Sequence, residues 1–358
     1  MVNHQQALQQ ISFFAGNRFD LVQAGGGNTS VKLDDHRMLV KASGINLTEV
    51  TQDCGYVAVD YLFIRTFLSG FSLNKLDKKQ REVVANESMQ SSKLSTTGKP
   101  SIETFLHAML STYTLHTHPV AINVLTAQEN WKQSLYNIWP DAIFVPYHTP
   151  GIDLAMAMSD ELNAYVVING HFPKVVFLQN HGLIVSCDNP TEVIRLTDQL
   201  SQLIAQHLKL DLKRYQNITT LQNLLSLEKL DPPPCIICSD DSVINSLLIK
   251  EEQKAPIWPF CPDTLIYCGV RPVFLDSIKD STDIKNYIDL YKEAPKILVV
   301  NKQVYFCASS IKKAKEAEEL LKFHLLVVNQ NPGEVKRLKL AEVAYLSNWE
   351  AEKFRQGV

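Results

Sequence analysis

The pentapeptide Leu115-His116-Thr117-His118-Pro119 is the stretch of this sequence best suited to chemistry. On a strand, residues two apart point to the same face, so the imidazoles of His116 and His118 would lie side by side and converge on one ion. A third histidine, His181, falls in Asn180-His181-Gly182 between two apolar runs, where a turn can deliver it to the same pocket. Three imidazoles leave coordination positions open, as a catalytic metal site requires. Plainer readings stand beside this one, because a His-x-His pair is often incidental and a turn histidine often only satisfies its turn.

Glu103 falls in the first turn of a helix expected from Pro100 to Ser111, with Ser101 as its cap. A reciprocal capping box would want the carboxylate one residue later, so Glu103 is not needed for that job. Near a metal it can take a proton from a carbon next to a polarised carbonyl, and the alternative is simple helix-start electrostatics. His107, one turn on, is expected to pack or to support that carboxylate. Two glycine-bearing turns, Ala24-Gly25-Gly26-Gly27-Asn28-Thr29-Ser30 and Ala42-Ser43-Gly44, offer backbone N–H groups together with Asn28, Thr29 and Ser43. Such turns suit a phosphate or another oxyanion. Neither GxGxxG nor GxxxxGK[ST] occurs, so no nucleotide cofactor is expected.

These residues need a scaffold to hold them. Ala7, Ile11 and Phe14 share one face of an N-terminal helix, and Val31 to Leu33 with Met38 to Lys41 reads as a hairpin between the glycine turns. Strands are expected at Tyr113 to Thr117, Val175 to Leu178 and Leu183 to Cys187, with helices from Pro119 through Ala127 and from Thr191 to Leu208. Interleaved strands and helices make residues 1–210 an α/β or α+β domain. Residues 211–256, with Asp231-Pro232-Pro233-Pro234 and the charged run Lys250 to Lys254, read as a connecting region. Residues 257–358 read as a small α/β domain, with strand candidates Thr264 to Cys268, Val273 to Leu275, Ile297 to Val300 and Val304 to Ala308, then a helix from Ile311 to Val328. Trp258, Tyr267 and Arg271 either line a cleft in it or pack it.

At 358 residues, two cores are expected rather than one. Hydrophobic residues at 45% and charged residues at 20% are ordinary globular usage. Thirty-five basic and 38 acidic side chains, net -3, are mixed along the chain without a basic tract, which argues against a nucleic-acid partner. No run reaches the length of a membrane span, and MVNHQQALQQISFF lacks the pattern of a secretory signal, so a cytoplasmic protein is expected. Seven scattered cysteines fit reduced thiols, and the lone Cys235–Cys238 CxxC pair has no second pair to complete a zinc site.

Taken in order, Gly26-Gly27-Asn28-Thr29-Ser30, Lys41-Ala42-Ser43-Gly44, Pro100-Ser101-Ile102-Glu103 with His107, His116-Thr117-His118-Pro119 and Asn180-His181-Gly182-Leu183 resemble the class II aldolase/adducin family. The resemblance covers about the first 210 residues. It implies a three-layer α/β/α sandwich around a mainly antiparallel sheet, with zinc or another divalent metal held by His116, His118 and His181. It also implies Glu103 as acid/base, and Asn28, Thr29, Ser43, Gly44 and Ser101 around the substrate phosphate and enediolate oxygens. Several sugar-phosphate aldolases of the family carry a second serine where this chain has Ile102.

The activity implied is carbon–carbon cleavage of a phosphorylated ketose or related hydroxy-carbonyl compound. Epimerase or dehydratase chemistry at the same site, or a non-catalytic adducin-like interaction module, are the alternatives. A symmetric homo-oligomer, tetramer or dimer, goes with the resemblance. Pro262-Asp263, Gly269-Val270-Arg271-Pro272 and Trp349-Glu350-Ala351-Glu352-Lys353 are similar to the aldolase portion of proteins in which a rhamnulose-phosphate aldolase-like domain is fused to a short-chain dehydrogenase, and a free-standing aldolase portion is the expectation here.

Overall fold

A computed structural model describes residues 3–70, 73–228, 234–250, 258–331 and 335–347. The chain divides into two compact units, Met1–Leu212 and Lys213–Val358.

The first unit opens with α1 (His4–Gly16), where the Asn3 side chain accepts the Gln6 N–H at 3.0 Å and so caps the helix. There follow β1 (Asn28–Lys32), β2 (Arg37–Lys41), β3 (Tyr56–Asp60), α2 (Tyr61–Gly70), α3 (Lys78–Ser91), α4 (Thr104–Ala108) and β4 (Tyr113–Thr117). The unit is completed by α5 (Val120–Thr126), α6 (Trp131–Ile138), β5 (Ile143–Val145), α7 (Ile152–Asn169), β6 (Val175–Leu178), β7 (Gly182–Cys187) and α8 (Pro190–His207). The strands form one sheet in the order β3-β2-β1-β4-β7-β6-β5. Every neighbouring pair is antiparallel except β5 with β6.

Alternation along the strands feeds two cores. Val31, Leu39, Leu115 and Val185 pack under α1, α5, α6 and α8, while Met38, Val40, Val57 and Ile184 pack under α2, α3, α4 and α7. Each such aliphatic side chain contributes about 1.5–3 kcal/mol on leaving water. The result is the α/β/α sandwich with a mainly antiparallel sheet that the resemblance implies.

One local expectation is corrected. The helix expected from Pro100 begins only at Thr104, with Glu103 in the cap position and no side-chain cap bond. Pro100 instead pairs with Ala42, and the Ser43 N–H donates to the Lys99 carbonyl at 2.8 Å, so the segment before Glu103 is tied to the end of β2.

The second unit holds α9 (Lys213–Leu227), β8 (Cys235–Cys238), α10 (Ser242–Lys250), α11 (Pro262–Cys268), β9 (Val273–Leu275), α12 (Thr282–Tyr291), β10 (Ile297–Val300), β11 (Gln303–Ala308), α13 (Ile311–Gln330) and α14 (Leu340–Ser347). Its sheet runs β8-β11-β10-β9, with β9 and β10 parallel. Within this unit β8 pairs with β11, and Ile218, Leu221 and Leu225 of α9 are core residues. Thr264 to Cys268 is helix rather than strand, started by Pro262 in its first turn and stopped by Gly269 at φ 74°. Most of Asp231–Pro234 and Lys250–Lys254, and all of Trp349–Lys353, lie outside the described residues. Trp258 donates its indole N–H to the Leu338 carbonyl at 2.7 Å, and the exposed Arg271 lies over the Tyr291 ring at 6.0 Å.

Candidate metal centre

His116 sits near the end of β4, fully buried. Leu115 packs on the α1 side of the sheet, so His116 faces α4. Its Nδ1–H donates to the Leu183 carbonyl at 3.0 Å, which leaves Nε2 with its lone pair turned inward. His118 follows the strand, its backbone N–H held by the Leu21 carbonyl at 2.9 Å. Its ring packs against Gly26, where a Cβ would come within 2.8 Å of Nδ1. His181 occupies the turn between β6 and β7. The next residue, Gly182, has φ 156° and no room for a Cβ against the Thr117 carbonyl, so β7 starts hard against the end of β4.

The three rings meet at their Nε2 atoms. His116 Nε2 lies 3.0 Å from that of His118 and 3.2 Å from that of His181. Glu103 Oε1 lies 3.3 Å from His116 Nε2 and 3.2 Å from His181 Nε2. All four potential ligand atoms lie within 4.8 Å of one another. Three lone pairs aimed at one point repel one another unless a cation lies between them. Nitrogens bound to one zinc at 2.0–2.1 Å stand about 3.3 Å apart in tetrahedral geometry. The donor set therefore fits a divalent ion of that kind.

The four groups also set one another's charge. Burial opposes ionisation of Glu103, but His116 and His181 outweigh it and hold the carboxyl well below the usual range. Burial lowers His116, and Glu103 beside it more than reverses that, so its pKa is raised. His118 is pushed down to about 3 by burial and by the other two imidazoles, which keeps it an electron-pair donor at neutral pH.

The remaining expected residues divide. Asn28 lies directly across from His116 in the β1–β4 ladder, fully buried. Its Oδ1 accepts the Thr29 N–H at 2.8 Å, and its Nδ2 has no partner among the described residues. The Thr29 hydroxyl bonds to Ser12 Oγ at 2.7 Å, on the α1 side of the sheet, away from the histidines. Ser101 does not cap α4, since its Oγ accepts the Glu103 N–H at 3.3 Å and braces the carboxylate's backbone. Ser43 and Gly44 form the turn after β2, with the Ser43 N–H already used by Lys99 and Gly44 at φ 83°.

Three features escaped the sequence reading: the buried Lys41, the Ser30 hydroxyl 2.8 Å from His107 Nδ1, and the buried Arg18 with Asp20 and Asp198. Strand period alone could have found Ser30, which shares a face with Asn28. At the CxxC pair burial pushes both Cys235 and Cys238 up to about 12, which disfavours their thiolates.

Residues 12–208 match the family model for the Class II Aldolase and Adducin N-terminal domain. The chain belongs to this family. A Bacillus subtilis (strain 168) protein named "Uncharacterized oxidoreductase YuxG" is 27% identical over 312 residues, covering 79% of this chain and 44% of that protein. The chain thus spans less than half the length of that relative. The N-terminal class II aldolase domain of a conserved Thermoplasma acidophilum protein is 23% identical, covering 56% of this chain and 92% of that one, with a TM-score of 0.48. A Thermotoga maritima sugar-phosphate aldolase is 15% identical, covering 58% and 96%, with a TM-score of 0.40. Among the described residues, no helix of this class II aldolase family member is long and apolar enough to cross a membrane.

Proposed function

We propose that this protein is a metal-dependent aldolase, a carbon–carbon lyase acting on a phosphorylated ketose or a related hydroxy-carbonyl compound. The observation that carries this reading is the convergence of three imidazole Nε2 atoms and the Glu103 carboxylate within 4.8 Å. His116, His118 and His181 would hold zinc or another divalent ion, which when bound polarises a carbonyl next to the bond that breaks.

The other tasks fall to the chain's own groups. Glu103, ionised at neutral pH, can accept a proton from carbon in the condensation direction and return it after cleavage. Its Ser101 contact fixes where it stands. The unpartnered Asn28 Nδ2 is placed to donate to a substrate oxygen. Only His116 of the four is fully buried, so the cluster is open to an incoming ligand on the side of Glu103, His118 and His181.

Elemental analysis of the purified protein, compared with His116→Ala and Glu103→Gln, tests the site. About one divalent ion per chain is expected in wild type and in Glu103→Gln, and little in His116→Ala. A panel of ketose 1-phosphates then tests the reaction by aldehyde release, which Glu103→Gln must abolish. Wild-type protein that takes up no metal after reconstitution would remove this reading and favour a binding role.

A further inference from the structure

β6 ends at Leu178, paired with Val145 of β5, and the next residue, Gln179, carries the ladder one step further. Its backbone N–H donates to the Val145 carbonyl at 3.0 Å. In a continued parallel ladder its own carbonyl would accept the N–H two places along the neighbouring strand, that of Tyr147. The side chain does this instead: Gln179 Oε1 accepts the Tyr147 N–H at 3.0 Å. The donor on Tyr147 is satisfied, and the backbone of Gln179 is free to leave the sheet.

That departure delivers a metal ligand. Asn180 turns the chain in the left-handed region at φ 53°, and His181 follows, its Nε2 3.2 Å from Glu103 Oε1. Tyr147 belongs to the loop of residues 146–151 between β5 and α7, and the far end of this loop meets the neighbour of Glu103. A Cβ on Gly151 would lie 3.1 Å from Ile102 Cδ1 and 3.2 Å from its Cγ1, so the loop closes tightly on Ile102. Between the two ends, Lys78 Nζ donates to Thr149 Oγ1 at 2.9 Å. One loop thus joins the residue two before His181 to the residue just before Glu103.

We infer that Gln179 is a positioning residue: its side-chain carbonyl, standing in for its own backbone in the β5–β6 ladder, sets where His181 stands relative to Glu103. The inference rests on the proposed metal-dependent reading of the cluster. Without the Oε1 bond, the turn loses its tie to the loop, and one imidazole shifts from the point where the three Nε2 atoms meet. Groups that only orient a metal ligand are worth about 10- to 100-fold in metal affinity.

Gln179→Leu removes the acceptor at similar size, and Gln179→Glu keeps one for the Tyr147 N–H. Zinc affinity of the full chain is measured by competition with a chelator, and the visible spectrum of the cobalt-substituted protein reports ligand geometry. Gln179→Leu is expected to lose about 10- to 100-fold in zinc affinity and to change the cobalt spectrum, with Gln179→Glu returning toward wild type in both. A lower Tm in Gln179→Leu with zinc affinity within about twofold of wild type and an unchanged cobalt spectrum would overturn the inference, because the residue would then serve stability alone. Wild type that takes up neither ion removes the metal reading and leaves the positioning to be read in the metal-free protein. There the ring resonance of His181, identified by its absence from His181→Gln, must shift in Gln179→Leu and hold in Gln179→Glu, and an unmoved resonance counts against the inference. Should Gln179→Leu not fold, Tyr147→Pro removes the same hydrogen bond from the donor's side and is read in the same ways.

Discussion

Asn28 faces His116 across the β1–β4 ladder, and the two fully buried side chains share the face of the sheet that looks toward Glu103. One of them finds its partners within the protein through the Leu183 carbonyl and the other imidazoles. The other ends in an amide nitrogen that bonds to nothing described. A buried donor left open costs about 1–3 kcal/mol, so its retention points to a ligand that completes it.

Asn28→Ala removes that donor without breaking a bond made by Nδ2. The expected result is a loss of about 100- to 1000-fold in kcat, the range typical for one oxygen-stabilising donor, with zinc content unchanged. Steady-state kinetics beside elemental analysis checks it. Loss of metal together with activity would show that Asn28 serves the fold of the centre and not the substrate.

Gly182→Ala addresses how His181 is delivered. At φ 156° a side chain is strained, and a Cβ would collide with the Thr117 carbonyl, so β7 must retreat from β4. A destabilisation of about 2–3 kcal/mol is expected from the strained backbone alone, together with weaker zinc binding because His181 moves with the strand. Thermal unfolding with and without zinc separates the two effects. An unchanged zinc-induced rise in Tm would mean that His181 reaches the ion from the displaced strand as well.

Much of this arrangement was legible beforehand, for physical reasons that differ between elements. Period-two alternation on β4 pairs His116 with the far side of the sheet from Leu115, and apolar runs bracket His181, so the histidine cluster could be anticipated. The same alternation, applied to β1, would have turned Thr29 away from Asn28 toward Ser12. Thr264 to Cys268 is a short apolar run whose period is ambiguous, and only Pro262 and Gly269 at its ends mark it as helix. Arg18, Asp20 and Lys41 were invisible because charged residues ordinarily face solvent, and burial of a charge is decided by tertiary partners distant in sequence.

His324 is expected to make the second unit sensitive to acid. It is buried, stacked on Phe260 at 5.2 Å, and pushed down to about 4 by burial and then by Arg337. The unfolded chain takes up a proton near pH 6.5, while the folded unit refuses it until about pH 4. Stability from this group is complete above pH 6.5 and falls as pH drops through that window, by about 3 kcal/mol at most. His324→Leu should lessen the shift of the urea midpoint between pH 7.5 and 4.5. Equal shifts in the two proteins would place the acid sensitivity elsewhere.

Arg18 ties the loop after α1, which holds the His118 backbone, to the body of the first unit. Its guanidinium grips Asp20 at 2.8 Å and 2.5 Å and Asp198 of α8 at 2.7 Å, with the Arg18 and Asp20 side chains wholly buried. The Asp20 carbonyl then accepts the Val120 N–H and the Leu21 carbonyl accepts the His118 N–H, both at 2.9 Å. Arg18→Leu strands Asp20 as a buried, uncompensated carboxylate, and a loss of about 3–5 kcal/mol is expected. Adding Asp20→Asn should recover part of that, because the charge left behind is what costs most. Zinc affinity should fall in the single variant and return in part in the double, since the backbone that sets His118 loosens with the network. Urea unfolding and competitive zinc titration on all three proteins read both quantities. Zinc affinity within twofold of wild type in Arg18→Leu would limit the network to stability and leave the placement of His118 to the glycine turn that packs against its ring.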